Sequence, residues 1–164
     1  MELLKYTRAW VKGEVRQGKI MLLLGAFLLI LENYIVKSNN DFLKGLIIPV
    51  GLIISILVGY GLMQIIVRPK HHTKVARDIE KDSVLIFNKE HSKAIKDDKI
   101  FKLLKKIWVV SGAVSIGLYL FFSEHYYQGL SIGLVGLFLT LYILDNTLHH
   151  RLKKYLKGME SLRL

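Results

Sequence analysis

One carboxylate stands well inside an otherwise apolar stretch: Glu32, thirteen residues after Lys19. At about 1.5 Å per helical residue, it lies roughly 20 Å from that basic boundary. An acid so deep in hydrocarbon is costly unless protonated, paired or hydrated, so Glu32 reads as an intramembrane site for a proton or cation. Asn33 and Tyr34 follow it and offer hydrogen-bonding groups. The competing expectation is that the first span ends early and leaves Glu32 at the outer interface.

A second set of residues has metal-ligating chemistry but poor spacing. Asp145 and His149 are four apart, so on a helix they share a face where the acid orients the imidazole or both hold a metal. His150, His71 and His72 complete the candidate set. Adjacent histidines point to different sides of a helix, so neither pair chelates alone. The spaced histidine boxes HxxxH and HxxHH of membrane di-iron enzymes do not occur, nor do HExxH, a nucleophile elbow or a phosphate-cradling glycine loop. Cysteine is absent, which removes disulfides, thiolate metal sites and cysteine nucleophiles. No catalytic residue and no cofactor is assigned.

The elements that position these residues are set by hydropathy. Hydrophobic residues make up 52% of the 164-residue chain and its mean hydropathy is +0.35. Crossing a hydrocarbon core takes roughly 20 mostly apolar residues in a helix, because unpaired backbone groups are not tolerated in lipid. Residues 20–36, 45–67, 107–122 and 129–144 are the candidates, which predicts an all-α, integral membrane four-helix bundle forming one membrane domain over 1–164. The first apolar block reads as a retained anchor, because charges are spread through the residues before it and no cleavage pattern follows.

Lys and Arg fix the expected direction. Five lie in residues 1–19, twelve in the loop 68–106 and five in 148–164, so 22 of the 24 share one side. Positive flanks stay in the cytoplasm, which puts both termini and the long loop there, in a bacterial-type inner membrane. Trp10 and Trp108 fall at the inner boundary, and Tyr34, Tyr126 and Tyr127 at the outer one. The same asymmetry accounts for the net charge of +11 without invoking nucleic acid.

The two halves resemble each other weakly. Lys19-Ile20 and Gly25-Ala26 recur as Lys106-Ile107 and Gly112-Ala113, and Gly45-Leu46 with Ile48 recurs as Gly129-Leu130 with Ile132. A tandem repeat of two transmembrane hairpins is one expectation, and chance likeness of apolar segments is the other. Small residues four apart make grooves for a neighbouring backbone: Gly51, Ser55 and Gly59; Gly129 and Gly133; Ala113 and Gly117. The spacing does not separate internal packing from a homo-oligomer.

Amphipathic helices are expected on the cytoplasmic side. Leu3, Leu4, Thr7, Trp10 and Val11 form one apolar stripe, and Leu148, Leu152, Tyr155, Leu156 and Met159 another. Pro69 is expected to break the chain, with Val75, Ile79, Ile86 and Phe87 on one helix after it and Ile100, Leu103, Leu104 and Ile107 on the next. Such helices suit anionic headgroups or a partner protein. The function this supports is a non-enzymatic accessory, scaffold or interaction subunit. The alternatives are an ion- or proton-coupled transporter or channel using Glu32, and a metal-dependent membrane enzyme on lipid substrates.

Overall fold

The computed structural model describes residues 2–162. Four helices account for nearly all of them: α1 (Glu2–Val36), α2 (Asp41–Ile79), α3 (Ser83–Phe121) and α4 (His125–Glu160). All four are long and apolar enough to span a membrane. Their lengths of 35 to 39 residues give helices of about 52 to 58 Å, far more than a hydrocarbon core of about 30 Å needs. Roughly half of each helix is therefore apolar outside, and the other half carries the charges. Arg163, one of the cations counted above, lies outside the described residues.

Short turns force each helix to run back along the one before. Two of the turns are closed by side chains: Asn40 accepts from the Leu43 amide at 3.3 Å and Asp82 from the Leu85 amide at 2.9 Å, each covering an orphan donor of the helix it starts. The start of α1, the end of α4 and the Glu80–Asp82 turn share one end of the bundle, here the basic end. The turns at 37–40 and 122–124 share the far end, and α2 and α4 run parallel.

Pro69 does not end α2. The helix passes through both Pro49 and Pro69 and stops at Ile79. A proline removes one N–H from a long ladder, while Val75 beyond it is buried in the bundle and holds the helix in place. The break falls instead at Glu80–Asp82, so Val75 and Ile79 belong to α2, whereas Ile86 and Phe87 belong to α3. α3 continues without interruption through Ile100, Leu103, Leu104 and Ile107.

The apolar stripes of the two terminal segments face each other. Leu3 packs with Ala94, Leu152, Tyr155, Leu156 and Met159 in one core at the basic end, with Tyr6, Phe87 and Phe101 around it. Heavy apolar burial of this kind is the drive that folds a helical bundle in water. Toward the far end the pattern reverses: Leu23 and Ile30 are 72% and 71% exposed and Leu120 and Phe121 are 78% and 80% exposed.

There the helices meet through glycine. A Cβ on Gly18 of α1 would come within 2.7 Å of the Gly61 carbonyl of α2. A Cβ on Gly129 would strike the Phe42 carbonyl, one on Gly45 the Tyr126 carbonyl, and one on Gly133 would sit 2.6 Å from Pro49. Close backbone approach is how helices gain van der Waals contact where lipid supplies no hydrophobic drive. Gly129 and Gly133 therefore pack internally. Gly59 and Gly117 face open space, Ser55 and Ala113 are exposed, and Gly51 has only the Glu32 carboxylate near it.

Candidate functional site

The acids and bases of the basic end are sorted by side. On α3, Lys89, Lys93, Lys96 and Lys99 recur every three or four residues and are all exposed, so they form one outward ridge. Glu90, Asp97 and Asp98 on the same helix turn toward the other helices. Glu90 Oε2 meets His71 Nε2 of α2 at 3.0 Å, and Asp98 Oδ1 meets His149 Nε2 of α4 at 2.6 Å while its other oxygen takes Lys102 at 2.6 Å.

These pairs set the charge states. Burial works to raise the Glu90 carboxyl, but the hydrogen bond and charge of His71 outweigh it and hold the group below its ordinary value. Asp98 is held below its own by the Lys102 hydrogen bond first, with His149 adding to it against modest burial.

The centre of the bundle contains a charged pair that hydropathy does not reveal. Glu14 of α1, 2% exposed, forms an ion pair with Arg68 of α2. Their contacting atoms, Oε2 and Nε, are both buried and meet off the line of a good hydrogen bond. The guanidinium also lies 4.8 Å over the Trp10 ring, which stacks on Tyr155 from its own side at 5.2 Å. Burial pushes the Glu14 carboxyl up, and Arg68 and Arg151 only partly offset this. Arg151 donates to Gln17 one turn along α1 from Glu14. Gln64, wholly buried between α1 and α2, has no partner for either amide atom.

Beside the pair lies a cavity of about 480 Å³ lined by all four helices. Trp10 and Glu14 come from α1, Tyr60 and Arg68 from α2, Phe101 and Trp108 from α3, and Asp145 from α4. Apolar side chains, among them Ile56, Leu104 and Leu141, fill the remaining wall. Pockets of this size and mixture suit a small amphiphile.

The residues singled out from sequence fall elsewhere or apart. Glu32 is half-buried, its carboxylate 3.0 Å from where a Cβ on Gly51 would stand. Asn33 donates to the Leu29 carbonyl of its own helix at 3.2 Å, and Tyr34 is 74% exposed. Asp145 and His149 do not act together: Asp145 accepts the Trp108 indole N–H at 2.7 Å, while His149 is committed to Asp98. His71 is committed to Glu90, His72 is half-buried and His150 is exposed. Among the described residues no three His, Asp or Glu side chains are grouped to hold a metal ion.

Glu14, Gln17, Gln64 and Arg68 were missed from sequence. The signal is present in register: Leu3, Thr7, Val11, Glu14, Gly18, Met21 and Gly25 recur three or four apart and, with Gln17 beside Gly18, are the buried positions of α1. Glu14 therefore occupies a core position of a helix whose other faces are exposed. The chain matches no family model, no curated protein sequence and no solved structure, so the reading of the site rests on its own residues.

Proposed function

We propose that this is a multi-pass membrane protein with both termini in the cytoplasm, acting as a non-enzymatic interaction subunit. Its basic end is a rigid stalk that presents cations to an acidic partner protein. The observation that carries the reading is the outward ridge Lys89, Lys93, Lys96 and Lys99 on a helix whose acids turn inward. Lys89 lies eighteen residues before Ile107, where the third apolar stretch begins. That is about 27 Å along the helix, against a screening length of about 8 Å at physiological salt. Headgroups of the same membrane are out of electrostatic reach of Lys89 and Lys93, whereas Lys99, about 12 Å from Ile107, is near enough to sense them. Lys19, Lys102 and Lys106 are closer to the apolar stretches and suit anionic lipid.

The exposed apolar girdle favours insertion, since a surface of that size left in water would aggregate. The cation asymmetry favours the cytoplasmic placement of the basic end, as in a bacterial inner membrane. A tandem hairpin repeat is favoured by the meeting of Gly45 with Gly129, which occupy matched positions in the two halves.

A photo-crosslinking residue in place of Lys93, in native membranes, tests the partner reading. The expected result is one discrete protein adduct that disappears when Lys89, Lys96 and Lys99 are reversed to Glu. Lipid adducts alone, or a protein adduct indifferent to the reversal, would overturn it.

A further inference from the structure

We propose that the cavity among the four helices binds a lipophilic organic cation. Three carboxylates line it, those of Glu14, Asp97 and Asp145, against one guanidinium, that of Arg68. Arg68 is already committed to Glu14 and to the Trp10 ring. Asp145 has only the Trp108 indole N–H, and neither it nor Asp97 has an ion pair among the described residues. The enclosure thus carries two carboxylates without a cationic partner, so a ligand bearing positive charge is favoured over a neutral or anionic one.

The rest of the wall specifies the body of that ligand. Trp10, Tyr60, Phe101 and Trp108 supply aromatic surface, and the intervening side chains are aliphatic. Aromatic walls with carboxylates stabilise delocalised or alkylated cations by ring quadrupole and charge together, and exclude strongly hydrated inorganic ions, which gain little from apolar contact. About 480 Å³ accommodates a molecule of several fused or linked rings.

Position favours an amphiphile as well. Tyr60 and Ile56 lie within the second apolar stretch, whereas Glu14, Asp97 and Phe101 lie in the charged half, so the cavity straddles the junction of the two. α2 and α3 touch over only a short length, and both contribute to the cavity wall. The assignment is independent of the partner proposed for the lysine ridge.

The chain holds two tryptophans, Trp10 and Trp108, and both line the cavity, so intrinsic fluorescence reports its occupancy directly. The experiment titrates tetraphenylphosphonium into the purified full chain in neutral detergent. Saturable quenching is expected. Asp97→Asn and Asp145→Asn should each weaken it by about tenfold, the loss of one charge-assisted contact. Lys93→Gln, on the outer ridge, should leave it unchanged. Asp97 makes no side-chain hydrogen bond among the described residues, so its variant tests binding without threatening the fold. Quenching that never saturates, or affinity in both Asp variants unchanged from the parent, would overturn the assignment. So would saturable quenching of equal affinity by tetraphenylborate titrated alone, since it has the same shape and the opposite charge.

Discussion

Glu14 of α1 and Arg68 of α2 form a buried ion pair where the charged half of the bundle meets the apolar half, with the Trp10 ring against the guanidinium. The pair joins the first hairpin at the level where its surroundings change from polar to apolar. Removing one member leaves a buried charge without its partner, which costs about 3 kcal/mol or more, whereas removing both with apolar replacements is far cheaper. Glu14→Met and Arg68→Met should each lower the thermal unfolding midpoint in detergent, and the double variant should recover most of the loss. Additive losses in that cycle would show that the two charges act separately.

Acid should loosen the basic end before the apolar half. Asp98, with an ordinary value of 3.8, is depressed in the folded chain by Lys102 and His149, so it binds fewer protons folded than unfolded. Its contribution is complete above that ordinary value and is lost as the pH falls through the folded one. Glu90 behaves the same way from 4.5 downward, through its His71 partner. Glu14 opposes them, because its raised value favours the folded state at low pH and that share is lost as the pH rises through it. Unfolding curves followed from about pH 5 down to about pH 2 should flatten in Asp98→Asn. An acid limb as steep as that of the parent would remove Asp98 from the account.

Glycines that look alike in sequence should differ in tolerance. Gly129→Ala drives a Cβ into the Phe42 carbonyl and should separate α2 from α4, giving a large loss of stability. Gly59→Ala and Gly117→Ala meet open space and should be neutral or slightly stabilising, since each removes a flexible residue from a helix interior. Thermal melts of the three variants side by side decide this, and a destabilised Gly59→Ala would point to a second protein surface packed on that face.

The lengths of the apolar runs make the four helices long and apolar enough to span a membrane legible, and the interruption of those runs by charge locates the turns at the far end. Pro69 is a local breaker at which the sequence alone ends α2, whereas the packing of Val75, which only the folded bundle supplies, carries the helix on to Ile79. The terminal stripes were visible as amphipathic helices, but not that Leu3 and Tyr155 would cover each other instead of lipid. Glu32 attracted attention by its depth along the chain. Glu14, closer to the basic end, was the more buried because depth and burial are set by different things, one by position along the helix and the other by which face it occupies. The Asp145–His149 spacing is legible in the sequence, but the donor Trp108 and the acceptor Asp98 that take up these two side chains come from α3 and have no local signature.

Because the chain has no native cysteine, the proposed cytoplasmic placement of the basic end of a membrane-spanning bundle is directly measurable. Lys89→Cys and Ser123→Cys, one at each end, are exposed to a membrane-impermeant maleimide added outside intact cells. Labelling of Cys at 123 alone, with Cys at 89 reacting only after permeabilisation, is the predicted result. Labelling at 89 in intact cells, or recovery of the protein as a dispersed monomer without detergent, would contradict it.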